Sequence, residues 1–277
     1  MGIGQDGRDY QIIFLLGFIA LGSFSRDWTL VWQYDLGLIL MCLVCQGLGV
    51  LLSSRLQTPP RTLPWGLKSA LITALSLTLL LRANHFSTLV LAAGVAIASK
   101  FFCRWQDKHF FNPANVGIMA ALVLSGDAWI SPGQWGTTGW LIACFLATGS
   151  LVLGKVGRWE TSVVFLAVYS TLEILRNAWL GWDISVVLHH LGSGSLLVFA
   201  LFMLSDPRSI PDGVAGRVLW ATLIAGVTFI FEHSLYLPAA PFWALFCCAP
   251  LTLLCDRRWP APRFLWLKSR PLELHSP

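Results

Sequence analysis

Residues 36–53 read LGLILMCLVCQGLGVLLS and carry no charged side chain. An α-helix needs about 20 mostly apolar residues to cross the hydrocarbon core of a bilayer, so this stretch predicts a transmembrane helix. The whole chain has the same character: of its 277 residues 56% are hydrophobic and 12% are charged, and the mean hydropathy is +0.67. Soluble domains usually carry about 25% charged residues. The composition therefore predicts an integral membrane protein surrounded by lipid.

Apolar segments recur along the chain, separated by short polar connections. We count ten of them, and the sequence predicts an all-α protein with about ten transmembrane helices. Three segments, 69–81, 114–125 and 192–204, are clearly shorter than a straight span requires. Such segments are typical of helices that are broken within the membrane, where the free backbone faces protein or a cavity. The ten segments are 10–24, 36–53, 69–81, 86–99, 114–125, 139–154, 161–175, 192–204, 217–231 and 240–255.

The distribution of basic residues predicts the orientation. With a cytoplasmic N-terminus and ten spans, 16 lysines and arginines fall in inside loops, whereas Arg26, Arg82 and Arg176 fall outside. The positive-inside rule then predicts that both termini are cytoplasmic. Small basic clusters between apolar runs are topology markers, so no nucleic-acid partner is predicted. The inside residues are Arg8, Arg55, Arg61, Lys68, Lys100, Arg104, Lys108, Lys155, Arg158, Arg208, Arg217, Arg257, Arg258, Arg263, Lys268 and Arg270.

A weak internal repeat relates the two halves of the chain. The segments that begin near Ser69 and Gly192 each start with small residues, continue as a leucine-rich run and end at a polar break. They are five segments apart and so enter the membrane from opposite sides, which is the pattern of inverted repeats. We predict one transmembrane domain over 1–277. It comprises a first repeat at about 10–125, a second at about 139–255 and a basic cytoplasmic tail at 256–277.

Two polar breaks that contain proline are the candidate functional sites. In the first, Asn112-Pro113 precedes Asn115, and Asn112 is suited to cap a helix that has proline in its first turn. In the second, Ser205 is followed by Asp206-Pro207. The predicted topology puts both breaks at a similar depth, so we expect them to meet, with Arg208 or the backbone N–H groups at Asn112 beside the Asp206 carboxylate. The alternative is that both are ordinary turns, in which proline and polar residues only separate helices.

Other ionisable residues lie in or beside apolar runs. Glu173 and Arg176 are three residues apart, so helical spacing predicts a pair near the outer surface. His189 and His190 are candidates for proton relay or ligand orientation, and the alternative is an interfacial pair. Glu232–His233 is predicted to cap the outer end of its segment. The sequence contains no zinc-type motif, Ser-His-Asp constellation or phosphate loop, so no metal site is predicted and no catalytic residue is assigned.

Three stretches together resemble one family. They are Ser69-Ala-Leu-Ile-Thr-Ala-Leu75; Lys100 followed by Asn112-Pro-Ala-Asn-Val-Gly117; and His189-His-Leu-Gly-Ser-Gly194 followed by Phe202-Met-Leu-Ser-Asp-Pro-Arg-Ser209. In order and spacing over about 65–255 they resemble the RnfD/NqrB group, the membrane subunits of Rnf complexes and of the sodium-translocating NADH:quinone reductase. The resemblance implies ten helices in two inverted five-helix halves, similar to ammonium and urea transporters, in a bacterial inner membrane.

The resemblance also implies a redox role and, in the large family members, a flavin mononucleotide esterified to a threonine in the outer loop between the halves. Here that loop offers only Thr137 and Thr138, in a context unlike the flavin motif. We therefore expect no covalent flavin and interpret the chain as a short, stand-alone branch.

Three functions remain open. The first is an electron-transport or cation-translocating subunit, with a flavin or quinone held non-covalently and other electron-transport subunits as partners. The second is a small-solute transporter or channel, and the third is a membrane anchor for a partner. As an enzyme, the chain would be a subunit of a redox-driven translocase rather than an enzyme by itself.

Overall fold

The architecture comes from a computed structural model, which describes residues 6–25, 31–56, 66–106, 108–130 and 139–266. This part of the chain is mostly α-helical, as the composition predicts, with four short strands. The helices are α1 (Gly7–Ser25), α2 (Trp32–Leu56), α3 (Leu67–Leu80), α4 (Phe86–Phe102), α5 (Pro113–Leu124), α6 (Gly139–Val156), α7 (Glu160–Leu180), α8 (Ile184–Leu191), α9 (Gly194–Val198), α10 (Val214–His233), α11 (Ala240–Cys248) and α12 (Leu251–Arg258). The strands are β1 (Leu81–Ala83), β2 (Arg104–Trp105), β3 (Lys108–His109) and β4 (Ala128–Ile130).

Each of the ten apolar segments coincides with a helix or with a pair of helices. Among the described residues, four helical stretches are long and apolar enough to cross a membrane, namely Trp32–Ser54, Gly139–Val156, Glu160–Leu180 and Val214–His233. A bent pair, Ile184–Leu191 with Gly194–Met203, makes a fifth candidate. The chain is therefore an integral membrane protein, and its described residues include four to five helices of spanning length. The count of ten spans stays a prediction.

The eighth segment, 192–204, is the second part of a bent helical pair that begins before it. Helices α8 and α9 meet at an angle of 50°. Gly192 ends α8, and α9 then continues into a π-helical turn at Phe199–Met203. A π-helical turn is rare and often marks a functional site. Every residue from Gly194 to Ser205 is buried, so the irregular backbone of this segment lies inside the protein and not against lipid.

The third and fifth segments form short helices that are tied together at one end. Helix α3 has 14 residues and α5 has 12. Strand β1 follows α3 directly and pairs antiparallel with β4, which follows α5. The Asp127 carboxylate strengthens this connection, because it accepts hydrogen bonds from the His85 backbone N–H at 3.0 Å and from the Thr88 hydroxyl at 2.6 Å.

Small residues allow α4 and α5 to pack closely, as is usual for helices in membranes. A Cβ atom added at Gly117 would lie 2.6 Å from the Ala92 carbonyl oxygen and 2.8 Å from the Ala96 Cβ. The two helices can therefore approach this closely only with glycine at 117.

A two-stranded hairpin, β2–β3, connects α4 to α5 and carries polar residues inward. Lys108 on β3 is buried, and its Nζ lies 2.6 Å from Asp256 and 3.1 Å from Asp212. The neighbouring residue, His109, faces the start of α5 and the end of the π-helical turn. The hairpin thus links the two halves of the chain and supplies one wall of the site described below.

Candidate functional site

The two polar breaks come close in space, because Asn112 and Pro113 of the first and Asp206 of the second line one cavity. Asn112 caps α5, because its Oδ1 accepts the backbone N–H of Asn115 at 3.1 Å. The Nδ2 of the same side chain donates to the Met203 carbonyl, at 3.1 Å, in the π-helical turn that leads into the second break. One amide side chain therefore joins segments that are about 90 residues apart in sequence.

The residues around this junction enclose a small polar cavity of about 40 Å³, which we call the junction cavity. Four predicted site residues line it: Ser69, Asn112, Pro113 and Asp206. Helix α3 contributes further polar side chains to the wall. The remaining lining residues are Arg8, Gln11, Ile72, Thr73, Ser76, His109, Ala114, Phe202, Arg208 and Trp266.

Lys100 lies next to the junction cavity on α4. Its ammonium group is buried and donates to the Ser69 carbonyl at 3.1 Å and to the Ser69 hydroxyl at 3.2 Å. Lys100 and Ser69, both predicted site residues, are therefore joined by hydrogen bonds. A buried lysine inside a bundle is costly and requires an anionic or polar neighbour, and this one stands at the edge of the cavity that contains the Asp206 carboxylate.

The Asp206 carboxylate has a partner that the sequence did not suggest. His109 Nε2 lies 3.8 Å from Asp206 Oδ2, and the Arg208 backbone N–H donates to Asp206 Oδ1 at 3.2 Å. Burial alone would raise the pKa of the Asp206 carboxyl, but the His109 ring and the Arg208 N–H hold it below its ordinary value. The junction cavity therefore places a carboxyl group beside an imidazole, two groups that can pass a proton between them.

The other predicted residues of the two breaks lie around the cavity without lining it. The buried Asn115 donates from Nδ2 to the Phe242 carbonyl at 3.1 Å. The Ser205 hydroxyl donates to the Leu201 carbonyl at 2.6 Å in its own helix. Pro207 lines a separate surface pocket with Lys108 and Asp212.

The first helix contributes residues that sequence reasoning missed. Gln11 donates from Nε2 to the Phe202 carbonyl at 3.3 Å, and Arg8 lines the same cavity. Gln11 is a polar side chain at the start of an apolar segment, and that pattern could have indicated a buried polar contact. No pattern in the surrounding loop indicated that His109 belongs to the site.

His190 lies away from the junction cavity, in a second polar cluster. His190 Nε2 is 2.9 Å from Glu232 Oε1, and His190 Nδ1 is 3.4 Å from Glu173 Oε2. His233 Nε2 is 2.5 Å from Glu173 Oε1, and the Tyr169 hydroxyl donates to Glu232 Oε2 at 2.5 Å. His189 lies next to this cluster in sequence but is exposed on α8.

Two expectations about this region are wrong. Glu173 does not pair with Arg176: it contacts the two histidines, while the Arg176 guanidinium lies over the Trp182 ring at 5.0 Å. Glu232 and His233 do not form a terminal cap, because both point into the cluster between α7, α8 and α10. Tertiary packing of acidic and basic groups outweighs the weak attraction between helical neighbours.

A larger cavity of about 250 Å³, which we call the second cavity, opens beside the cluster. Tyr169, His190 and Glu232 supply its polar wall, and Phe199 and Phe242 supply part of its apolar wall. Thr137 and Thr138, the candidate flavin attachment residues, lie outside the described residues.

Comparison with known proteins places these features in a family context. Residues 124–258 match the model of the NQR2, RnfD, RnfE family. The chain is 32% identical over 122 residues to the RnfD subunit of the ion-translocating oxidoreductase complex of Psychromonas ingrahamii, covering 43% of this chain and 35% of that protein. It is 28% identical over 177 residues to the RnfD subunit of Stutzerimonas stutzeri, covering 60% of this chain and 48% of that protein. The corresponding protein of Tolumonas auensis is 25% identical over 119 residues, which cover 43% of this chain and 34% of that protein.

The fold and the junction define a class of protein, namely an integral membrane protein built around a broken helix with buried polar residues. Within that class, the resemblance to the RnfD/NqrB group that the motifs predicted is confirmed over the matched part of the chain. The matches cover between about a third and half of the length of these relatives.

Proposed function

We propose that this chain is an RnfD-like membrane subunit of an ion-translocating oxidoreductase complex, with other electron-transport subunits as its partners. The observation that carries the proposal is a broken span with a cavity at each end, each of which has polar side chains in its wall. Phe202 and Asp206 line the junction cavity, whereas Ser195 and Phe199 on the same segment line the second cavity. Broken helices with polar residues at the break are typical of ion and substrate pathways.

We propose that a path connects the two cavities and that aromatic side chains close it. Phe199 packs edge-on against Phe242 with ring centroids 5.1 Å apart, and Phe202 packs against Phe18 at 5.5 Å. A buried amide oxygen lies close to this closure: Asn115 Oδ1 accepts no hydrogen bond within the described part of the chain. Such an oxygen is suited to bind a passing cation or a water molecule. We propose that movement of the π-helical turn opens this barrier.

The finer architecture that we propose is ten transmembrane helices in two inverted five-helix halves, as in ammonium and urea transporters. Support comes from α5 and α11, which belong to segments five and ten. Both are short and both have proline in the first turn. Their first turns touch, because Asn115 donates to the Phe242 carbonyl. Equivalent half-helices whose N-terminal ends meet in the bundle are characteristic of inverted-repeat transporters.

We further propose one domain over 1–277, with repeats at about 10–125 and 139–255, a basic tail at 256–277 and both termini in the cytoplasm of a bacterial cell. Cysteine labelling in intact cells tests the topology, in a background whose native cysteines are not labelled. Ser131→Cys is expected to react with an impermeant reagent and Gln106→Cys is not. Reaction of both positions from the same side would contradict the ten-span arrangement.

For the cofactor, we propose that any flavin or quinone is held non-covalently, since Thr137 and Thr138 lack the sequence context of the flavin motif.

The test of the function is affinity purification from native membranes, followed by an absorbance spectrum before and after acid precipitation. Co-purifying redox subunits and a pellet without flavin are the expected result. Purification of the chain alone, colourless, would count against the redox function. Flavin in the pellet that is lost in a Thr137→Ala/Thr138→Ala variant would show covalent attachment.

The second candidate function is a stand-alone small-solute transporter or channel, which the 250 Å³ volume of the second cavity favours. Solute flux in liposomes that contain only this chain would support it. Stable binding of a partner that needs neither cavity would point to the membrane-anchor alternative.

Replacing the junction carboxylate separates a functional role from a structural one. We expect Asp206→Asn to reduce ion translocation by the complex in vesicles at least about tenfold, because the charge beside His109 is lost while the side-chain volume is kept. The melting temperature in detergent is expected to stay within a few degrees of wild type. Asp183→Asn is the matched control, because Asp183 caps the exposed start of α8 and asparagine caps equally well. A fall in stability that parallels the fall in activity would mean that Asp206 only joins the two halves.

A further inference from the structure

The cluster between α7, α8 and α10 contains the donor set of a metal site. Glu173, His190 and His233 each offer one possible ligand atom, and these atoms all lie within 4.8 Å of one another. We propose that this cluster binds one divalent transition-metal ion through the Glu173 carboxylate, His190 Nδ1 and His233 Nε2. Two imidazoles and one carboxylate, with an open fourth position, are a recurrent ligand set for zinc and related ions.

Two contacts of the cluster, one to each oxygen of Glu173, are close to the spacing that such an ion requires. Ligand atoms on a tetrahedral zinc ion, at bond lengths of about 2.0–2.1 Å, lie roughly 3.3 Å apart. His190 Nδ1 and Glu173 Oε2 are already 3.4 Å apart. His233 Nε2 and Glu173 Oε1 are in direct contact at 2.5 Å, and they would separate by somewhat less than 1 Å as the ion replaces their shared proton.

The next shell of residues is arranged as metal-bound histidines require. A ligating histidine usually donates its other ring N–H to a carboxylate, which fixes the tautomer and the ring orientation. His190 Nε2 lies 2.9 Å from Glu232 Oε1, so Nδ1, which faces Glu173 Oε2, is the nitrogen that would bind the ion. The other oxygen of Glu232 accepts the Tyr169 hydroxyl at 2.5 Å, which holds that carboxylate in place. Tyr169, Glu232 and His190 therefore form an ordered chain that leads to the proposed ion.

Charge balance in the bundle also favours a cation. Glu173 and Glu232 are two carboxylates within apolar helices, where uncompensated charge is expensive. Two protonated histidines could neutralise them, and so could one divalent ion held by two neutral histidines. Metal binding must then release protons, so the affinity is expected to rise with pH.

Access to the proposed ion is provided by the second cavity. His190 and Glu232 form part of the wall of this 250 Å³ space, and Glu173 is buried behind them. The open coordination position can therefore receive a water molecule or a small ligand from the cavity. No sequence motif indicated the site, because Glu173 is 17 residues from His190 and 60 residues from His233.

The binding test uses the full chain, purified in detergent, stripped with a chelator and titrated with Zn²⁺ in competition with a chromogenic chelator. The expected result is saturable binding of one ion per chain. Binding should be abolished in Glu173→Gln and in His233→Gln, and weakened about 10–100-fold in Glu232→Gln. His189→Gln is the matched control on α8 and should bind like wild type. Wild type that binds no ion, or Glu173→Gln that binds as well as wild type, would overturn the proposal.

A second measurement needs no variant and so does not depend on how the variants fold. Co²⁺ bound to the wild-type chain is expected to show visible d–d bands from nitrogen and oxygen ligands. The chain also has seven cysteines, and thiolate ligands would add an intense near-ultraviolet charge-transfer band. That band would assign the ion to cysteine and contradict the site, whereas its absence together with the d–d bands would support it.

Discussion

Replacing Lys108 with methionine is expected to lower the free energy of unfolding by about 3 kcal/mol, because the buried Asp212 carboxylate and the partly buried Asp256 carboxylate would lose their shared cation. Lys108 Nζ lies 2.6 Å from Asp256 and 3.1 Å from Asp212, and the lysine side chain is 5% exposed. The Asp212 backbone N–H also donates to the Asp256 carboxylate at 2.7 Å. The measurement is an unfolding titration in mixed micelles.

The expected loss is large because the carboxylates belong to a wider network that joins four parts of the chain. Arg158 and Arg217 donate to the Asp212 carbonyl at 2.7 and 2.6 Å, and Arg217 also contacts Glu160 at 3.1 Å. Removing one member leaves the others buried with unbalanced charge. Arg257→Ala is the control: it removes an exposed cation on α12 and should change the stability by less than about 0.5 kcal/mol. Equal losses in the two variants would contradict this account.

Gly117→Ala is expected to destabilise the protein by about 1–3 kcal/mol, the usual cost of overpacking a tight contact. The new methyl group would lie 2.6 Å from the backbone carbonyl oxygen of Ala92, which cannot move without shifting α4. Gly94→Ala is a matched control, because this glycine lies in α4, the helix that packs against Gly117, and an added Cβ there would have no atom within 4 Å. It should be neutral or slightly stabilising, since alanine is the better helix former.

The same micelle titration can compare the two alanine variants directly. A loss at Gly117 together with no loss at Gly94 would show that the close approach of α4 and α5 is what glycine provides. If both variants lost the same stability, the cause would be a general effect on α4 and α5 and not their contact.

The sequence predicted the helical segments well, because hydropathy alone selects the residues that lipid and the core can accept. It also predicted that Asn112 and Asp206 lie near each other, since equal depth in the membrane limits where two breaks can be. The sequence did not predict His109 as the partner of Asp206. That residue is brought in by a two-stranded hairpin, and its position depends on how Lys108 is anchored to Asp212 and Asp256.

The Glu173 cluster was missed for a related reason. Helical spacing identifies only neighbours on one helix, such as Glu173 and Arg176, and a pair of that kind contributes only a few tenths of a kcal/mol. The partners that Glu173 actually contacts, His190 and His233, come from two other helices. Nothing in one sequence reports which faces of three helices turn toward each other.

The π-helical turn at Phe199–Met203 has a consequence for how this segment can vary. A π-helical turn holds one residue more than an α-helical turn while completing about the same rotation, so it absorbs an extra residue without turning the chain that follows. Deleting one residue between Phe199 and Met203 is therefore expected to restore a regular helix with the Asp206 carboxylate still on the side of His109. In a regular helix the same deletion would turn the following side chains by about 100°. This segment can thus lose one residue at the π-helical turn with less effect on the Asp206 site than a deletion elsewhere in a helix would have.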